Sequence, residues 1–356
     1  MGGFWIALAG GVALARTAER RGARVGFGAS IAAMLETVAI IGPARIGIPL
    51  TQAATAPMLG RLEARGWRTV PQVLACAGIR LLHNTATTAF FIWVIAGGLD
   101  AYAGTYDAVG RHFGLEIGTA DALVLTLVSL LAWAAFASVV QVLVYRRGLQ
   151  QWEELAANAP EAPVRPRARA RDGAPPRFDP RVLSLIAIAT FVVLLATTAW
   201  PVLAGVAAAL AVGALMARGD RGVWRTGALF AAVLAGGAFV FGMGGGLGLD
   251  MALRRATRAA LLVLTATWLR AAAGAEGLRE VGRRTLTRLR RVPSATEAAV
   301  VLDSLESEAR LIASGRALEG QLRGIEKRPL PLLDAVLRWV VAEAQEPGVR
   351  AETSRL

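Results

Sequence analysis

The fold class predicted for this chain is all-α, a polytopic membrane protein of about nine transmembrane helices with amphipathic helices near its C-terminus. Three observations predict it. Hydrophobic residues make up 55% of the 356-residue chain and mean hydropathy is +0.49, more than an ordinary soluble domain carries. The apolar residues gather into segments of membrane-crossing length, not into the scattered stripes of a globular core. The loops between them alternate between arginine-rich and acidic, as the positive-inside rule requires.

In chain order, five apolar segments come first, at roughly 3–15, 26–42, 46–60, 70–98 and 122–145. Met1 to Ala15 is apolar, but Arg16, Arg20, Arg21 and Arg24 follow it and do not precede it. It therefore reads as a first span with its N-terminus outside, not as a cleavable signal. Pro43 and Arg45 interrupt the second and third segments, and Pro49, Gln52 and Pro57 weaken the returning arm, which is either a span or a re-entrant segment. Arg16–Arg24 and Arg61–Arg68 go inside, whereas the loop from Leu99 to Ala120, with Asp100, Asp107 and Glu116, goes outside. Prolines and arginines then interleave from Arg146 to Arg181, a disordered cytosolic linker. Four more spans follow at roughly 182–199, 201–217, 226–246 and 251–272. The glycines from Gly242 to Gly248 lack the strand–turn–helix setting of a phosphate loop and read as a flexible or tightly packed outside turn. This divides the chain into a membrane module at 1–147, a linker at 148–176 and a second membrane domain at 177–350 whose cytosolic helices occupy 275–345.

Several function classes are excluded by composition. The net charge of +13 comes almost entirely from arginine, Lys327 being the sole lysine, which suits cytosolic loops facing anionic headgroups and gives no reason to expect nucleic acid. Cys76 is the one cysteine, and His83 and His112 are the two histidines. No disulfide framework, metal centre or cofactor site is expected from them. Asp250, Asp334 and Glu36 stand isolated, without the paired carboxylates of a membrane enzyme, and no G-x-x-x-x-G-K-[ST] is present.

The soluble tail holds the sharpest feature. Pro293 and Ser294-Ala-Thr-Glu297 form a breaker and an S-x-x-E capping box. Ala298, Val301, Leu302, Leu305, Ala309 and Ile312 then recur at helical spacing, and the next place on that stripe is Arg316, within Gly315-Arg316-Ala317. One helix from Ser294 to Ala317 is expected. Alone, Arg316 reads as a solvated arginine favoured by the helix dipole; set at the end of an apolar seam, it can also plug into an acidic socket on a partner. A last apolar stretch, Pro329 to Ala344, with Asp334 and Arg338, is either a tilted span or a third surface helix.

In order and spacing, the second half resembles the transmembrane T component of energy-coupling factor (ECF) transporters, the family of the cobalt and biotin importer T subunits. The resemblance covers roughly Pro176 to Gly348. It rests on Asp179-Pro180-Arg181-Val182 at the first span, on Ala252-Leu-Arg-Arg-Ala-Thr-Arg258 opening the fourth, and on Thr265-Ala-Thr267 and Gly277-Leu278 leading into helices separated by Val292-Pro293. Gly315-Arg316-Ala317 falls where the family has its first X-Arg-X coupling motif. The second is absent: proline stands in Ala344-Gln-Glu-Pro347-Gly348 where the family has arginine. The resemblance implies a subunit without enzymatic activity in a bacterial inner membrane. Such a subunit joins two cytosolic ATP-binding-cassette ATPases to a small substrate-binding membrane subunit, for uptake of a vitamin, a metal ion or similar micronutrient.

No family is recognisable in the first half. Arg80, His83, Asn84 and Thr87 share roughly one helical face inside an apolar segment, either as a site for a small polar substrate or as interhelical hydrogen bonding. Arg65, in Leu62-Glu63-Ala64-Arg65-Gly66-Trp67, resembles the missing second coupling motif; an ordinary basic loop is the simpler reading. Small residues (Gly10, Gly11 and Ala15; Ala53, Ala54 and Ala56) suit close helix packing. The first half is either a substrate-binding component fused to its T component or an added scaffold.

Overall fold

The computed structural model describes residues 2–43, 47–157, 178–217, 221–289, 291–304, 308–325 and 328–344. Among them there is no β-strand, and thirteen α-helices follow one another. They are α1 (Gly2–Arg21), α2 (Ala23–Ile41), α3 (Gly47–Ala64), α4 (Thr69–Phe90, prolonged by a π-helical turn Phe91–Ala96), α5 (Leu99–Arg111), α6 (Thr119–Ala157) and α7 (Pro180–Ala196). After these come α8 (Trp200–Ala217), α9 (Arg221–Gly244), α10 (Gly248–Arg288), α11 (Pro293–Ser304), α12 (Glu308–Arg323) and α13 (Pro329–Ala344). The chain is all-α, as its sequence predicts.

Among the described residues five helices are long and apolar enough to cross a membrane: α2, α4 with its π-helical turn, α6, α8 and α9. Large apolar side chains point outward from them, among them Leu82 and Trp93 on α4, Leu127, Leu131 and Phe136 on α6, Leu215 on α8 and Val233 on α9. Such a surface is a liability in water and a lipid-facing wall in a bilayer. The count is below the nine expected, for visible reasons. α1 ends in Arg16, Glu19, Arg20 and Arg21, α3 carries Thr51, Gln52, Thr55 and Pro57, and the first half of α10 carries Asp250, Arg254, Arg255 and Arg258. The apolar α7 has 17 residues, short of a full crossing.

Ion pairs gather the arginine-rich helix ends together. Glu153 of α6 receives Arg16 and Arg20 of α1. Glu63 of α3 accepts from Gln72 of α4 at 2.6 Å and from Arg146 of α6 at 3.2 Å, and Arg146 also reaches Thr69. Arg24 of α2 meets Glu297 of α11 at 3.0 Å. The C-terminal ends of α1, α3 and α6 and the N-terminal ends of α2 and α4 therefore lie together, the arrangement a positive-inside topology demands. The opposite end is closed by aromatic packing. Phe91 meets Phe241 edge-on at 5.0 Å, and Tyr102 stacks on Phe241 at 6.4 Å. The Tyr102 hydroxyl lies 2.8 Å from that of Thr126, and Thr105 donates to the Phe241 carbonyl at 3.1 Å. The segment expected as an acidic loop from Leu99 thus holds a helix, α5, that buries Ala101, Tyr102 and Ala103.

The long helix α10 connects the two ends. Gly274, at φ 70° and ψ 171°, breaks its regular geometry. Before the kink α10 packs on α7, α8 and α9; beyond it, the helix lies along α2, where Gly282 sits against Leu35. α6 also runs farther than expected, so 148–157 of the expected linker are helical and 158–177 lie outside the described residues. α13 settles on α1 and α6: Leu333, Val336, Leu337 and Val340 share one buried cluster with Leu8, Val12, Val142 and Tyr145, and Arg147 reaches Asp334 at 3.5 Å. Of the two readings left open for this stretch, the geometry is that of a helix laid by its apolar face onto the rest of the protein.

Candidate functional site

The most developed polar structure lies where α10 passes its kink and meets α2, α7 and α11. Two N–H groups of Arg279 donate to Glu36, one at 2.6 Å, with the side chains only 12% and 8% exposed. This is the planar, two-point pairing that guanidinium and carboxylate favour. Four residues before the kink, Arg270 donates to the Ile40 carbonyl at 3.1 Å, satisfying one of the free acceptors at the end of α2. Glu36 is thus not isolated, as its sequence setting suggested. Nor are the other two carboxylates: Asp334 meets Arg147, and Asp250 accepts from the Trp200 indole at 2.8 Å and forms an ion pair with Arg254 at 2.8 Å. The Trp200 hydrogen bond, with Arg254 adding to it, holds the Asp250 carboxyl below the usual range.

The Asp-Pro-Arg sequence has a local structural role at this junction. Asp179 caps α7 by accepting from the Arg181 backbone N–H at 2.9 Å, and Pro180 occupies the first turn, where its missing N–H costs nothing. Pro180 rests on Gly277, where a methyl group would come within 2.9 Å of its ring. Phe178, Asp179, Pro180 and Arg181 with Glu280, Val281 and Arg284 line an open groove of about 340 Å³.

The amphipathic tail is helical on both sides of 305–307, which lie outside the described residues: α11 precedes them and α12 follows. The first part of its apolar stripe is covered within the chain. Ala295, Ala298 and Leu302 are buried against Ala32 of α2 and Leu286 of α10, and Glu297 of the expected capping box is engaged by Arg24. Gly315, Arg316 and Ala317 fall within α12, with Ala317 exposed and Gly315 half-buried; the Arg316 side chain lies outside the described residues.

Arg65 follows the end of α3 and is exposed. Gly66, at φ 70°, closes that helix, its N–H donating to the Glu63 carbonyl at 2.8 Å. The α4 residues are divided. Arg80 donates to Gln141 of α6, whose amide donates to Thr55 of α3 at 2.8 Å, so its guanidinium ties three helices together. Thr87 donates to the His83 carbonyl of its own helix at 2.9 Å and is exposed, while His83 and Asn84 are half-buried. The small residues of α1 serve packing within the chain: Gly11 lies against Tyr145, and Ala15 against Gly60.

Sequence reading missed the Glu36–Arg279 junction because 243 residues separate the partners. The available signal was a glutamate in an otherwise apolar helix, which requires a buried partner. Among the described residues no cluster of three or more His, Cys, Asp or Glu could hold a metal ion. No family model, no curated protein and no solved structure matches this chain.

Proposed function

We propose that this protein is a membrane coupling subunit of an ECF-type importer, carrying movement between cytosolic ATP-binding-cassette ATPases and a small substrate-binding membrane subunit in a bacterial inner membrane. The observation that carries the reading is α10. Its two helical arms, joined at the break at Gly274, run from the aromatic end into the arginine-rich layer where α10 meets α2 and α11. An element reaching both ends, with a glycine joint between its arms, can pass displacement from one end to the other without chemistry, and the Glu36–Arg279 pair fixes its far arm to α2. The resemblance of Asp179-Pro180-Arg181 and Gly315-Arg316-Ala317 to the family's sequence supports the same reading. The cargo would be a vitamin, a metal ion or a similar micronutrient, and the chain itself would catalyse nothing.

A second reading is favoured by the covered face of α11: a self-contained membrane scaffold needs that stripe for its own packing. Purification of the tagged chain from its native operon in mild detergent separates the two. The coupling reading expects two ATPase subunits at stoichiometric yield, lost on Arg316→Glu. Recovery that Arg316→Glu leaves unchanged, or a chain that purifies alone, would transfer support to the scaffold. A further small membrane protein in the complex would show that residues 1–150 do not replace the substrate subunit.

A further inference from the structure

We propose that Arg255 and Arg258 of α10 form a binding site for an anionic oxygen group, a phosphate or carboxylate, near the aromatic end of the helix bundle. Arg258 is 6% exposed, and its Nε and one terminal nitrogen are buried without any hydrogen-bond partner. Arg255 lies one helical turn earlier; it donates to the Gly97 carbonyl at 3.3 Å, but its Nε is likewise buried and unpartnered. A guanidinium cannot shed its proton to escape this situation. Removing an unpaired cation from water costs several kcal/mol, and a like charge one turn away adds to that cost. Two such groups side by side are the half-complete form of a two-arginine anion site.

Among the described residues no carboxylate completes it. At this end Asp250 is held by Trp200 and Arg254, Asp107 by Arg111 and the Ile117 N–H, and Asp121 by the Gly118 N–H. Asp100 and Glu116 are exposed and pair with neither arginine. The surroundings are shaped to admit the guanidinium groups. Gly97, at φ 108°, sits against the Arg255 head, where any side chain would collide with it, and Ala259, Ile95 and Ala238 pack beside the site as a small apolar wall. Arg258 lies ten residues into α10, about 15 Å from the helix start. That depth suits a lipid headgroup drawn inward or the anionic end of a small solute. The inference is independent of the coupling role.

The test uses the full chain in phosphatidylcholine nanodiscs, with native mass spectrometry and thermal melting as readouts. In one arm the discs contain phosphatidylglycerol; in the other, inorganic phosphate or acetate is added to neutral discs. Retention of phosphatidylglycerol with a raised Tm assigns the site to lipid, and stabilisation by the free anions alone assigns it to a solute. Either effect should fall at least about tenfold in Arg258→Met, the loss of one charge-assisted contact. Arg258→Met should also melt higher than the parent in neutral discs without anion, because the unpaired charge is gone, whereas a merely structural arginine would make it melt lower. Arg225→Gln, an exposed arginine near the start of α9, should retain the anion response. A parent chain that responds to neither probe, or an Arg258→Met that responds equally, overturns the proposal.

Discussion

Glu36 lies on α2, a helix otherwise apolar enough to cross a membrane, and its carboxylate survives there because Arg279 supplies two donors. Removing Arg279 leaves Glu36 buried without its partner, whereas removing Glu36 leaves Arg279 still paired with Glu276. Arg279→Met should cost about 3–5 kcal/mol and Glu36→Leu less, because Glu276 still faces Arg279, and the double variant Glu36→Leu with Arg279→Met should recover most of the larger loss. Thermal melts of the four proteins in one detergent measure the cycle; additive losses would show that the pair is not coupled. Tyr102 behaves differently. Burial pushes its phenol from 10.0 up to about 12, so the folded state holds that proton more tightly than the unfolded chain. The associated stability is fully present below the unfolded value and is lost as pH rises through about 12. Tyr102→Phe should therefore flatten the fall in stability between these two pH values; an unchanged alkaline limb would place the transition elsewhere.

Gly274 is the point at which one element turns into two. Its positive φ is a conformation that an L-residue adopts only at a cost, so Gly274→Ala should destabilise the protein by about 1–2 kcal/mol or straighten α10. Straightening would move Arg279 away from Glu36, which a cysteine crosslink between α2 and the far arm of α10 would report as lost yield. At this scale the sequence was legible where hydrophobicity decides the outcome. The apolar runs that became α2, α4, α6, α8 and α9 were visible as segments, and Pro180 and Pro293 stand at helix starts as their chemistry requires. The π-helical turn at Phe91–Ala96 and the helix α5 were not legible, because each depends on packing against α9 and not on local periodicity. The tail illustrates the same limit. Its stripe was readable at Ala298 and Leu302, but the partner that covers it, α2, lies some 270 residues away in the chain.

The whole molecule interlocks its two halves more closely than its proline-rich division suggested. α2 packs on α10 and α11, and the π-helical turn of α4 packs on α9 and α10. The functional residues inferred from sequence were legible as types and not as arrangements: Arg80 stood out as an arginine in an apolar segment, with a polar-substrate site and interhelical hydrogen bonding both left open, whereas the path from Arg80 through Gln141 to Thr55 is visible only in three dimensions. Its substitution should act through the fold. Arg80→Met leaves a buried amide short of one partner, and a loss of about 1–3 kcal/mol is expected in a detergent melt; no loss would show that the contact contributes nothing net.

The placement of α13 on α1 has a consequence for how this protein is made. α1 leaves the ribosome about 300 residues before α13, so Leu8 and Val12 must wait through the synthesis of that whole stretch without Leu337 and Val340. During that interval they need a substitute, either lipid or an insertion chaperone. A nascent chain halted before Pro329 should therefore remain attached to the insertion machinery and be degraded, while the same chain released after Ala344 should escape both fates. Pulse-chase of the two lengths would show the difference as a lifetime, and equal lifetimes would mean that α1 is content without its late partner.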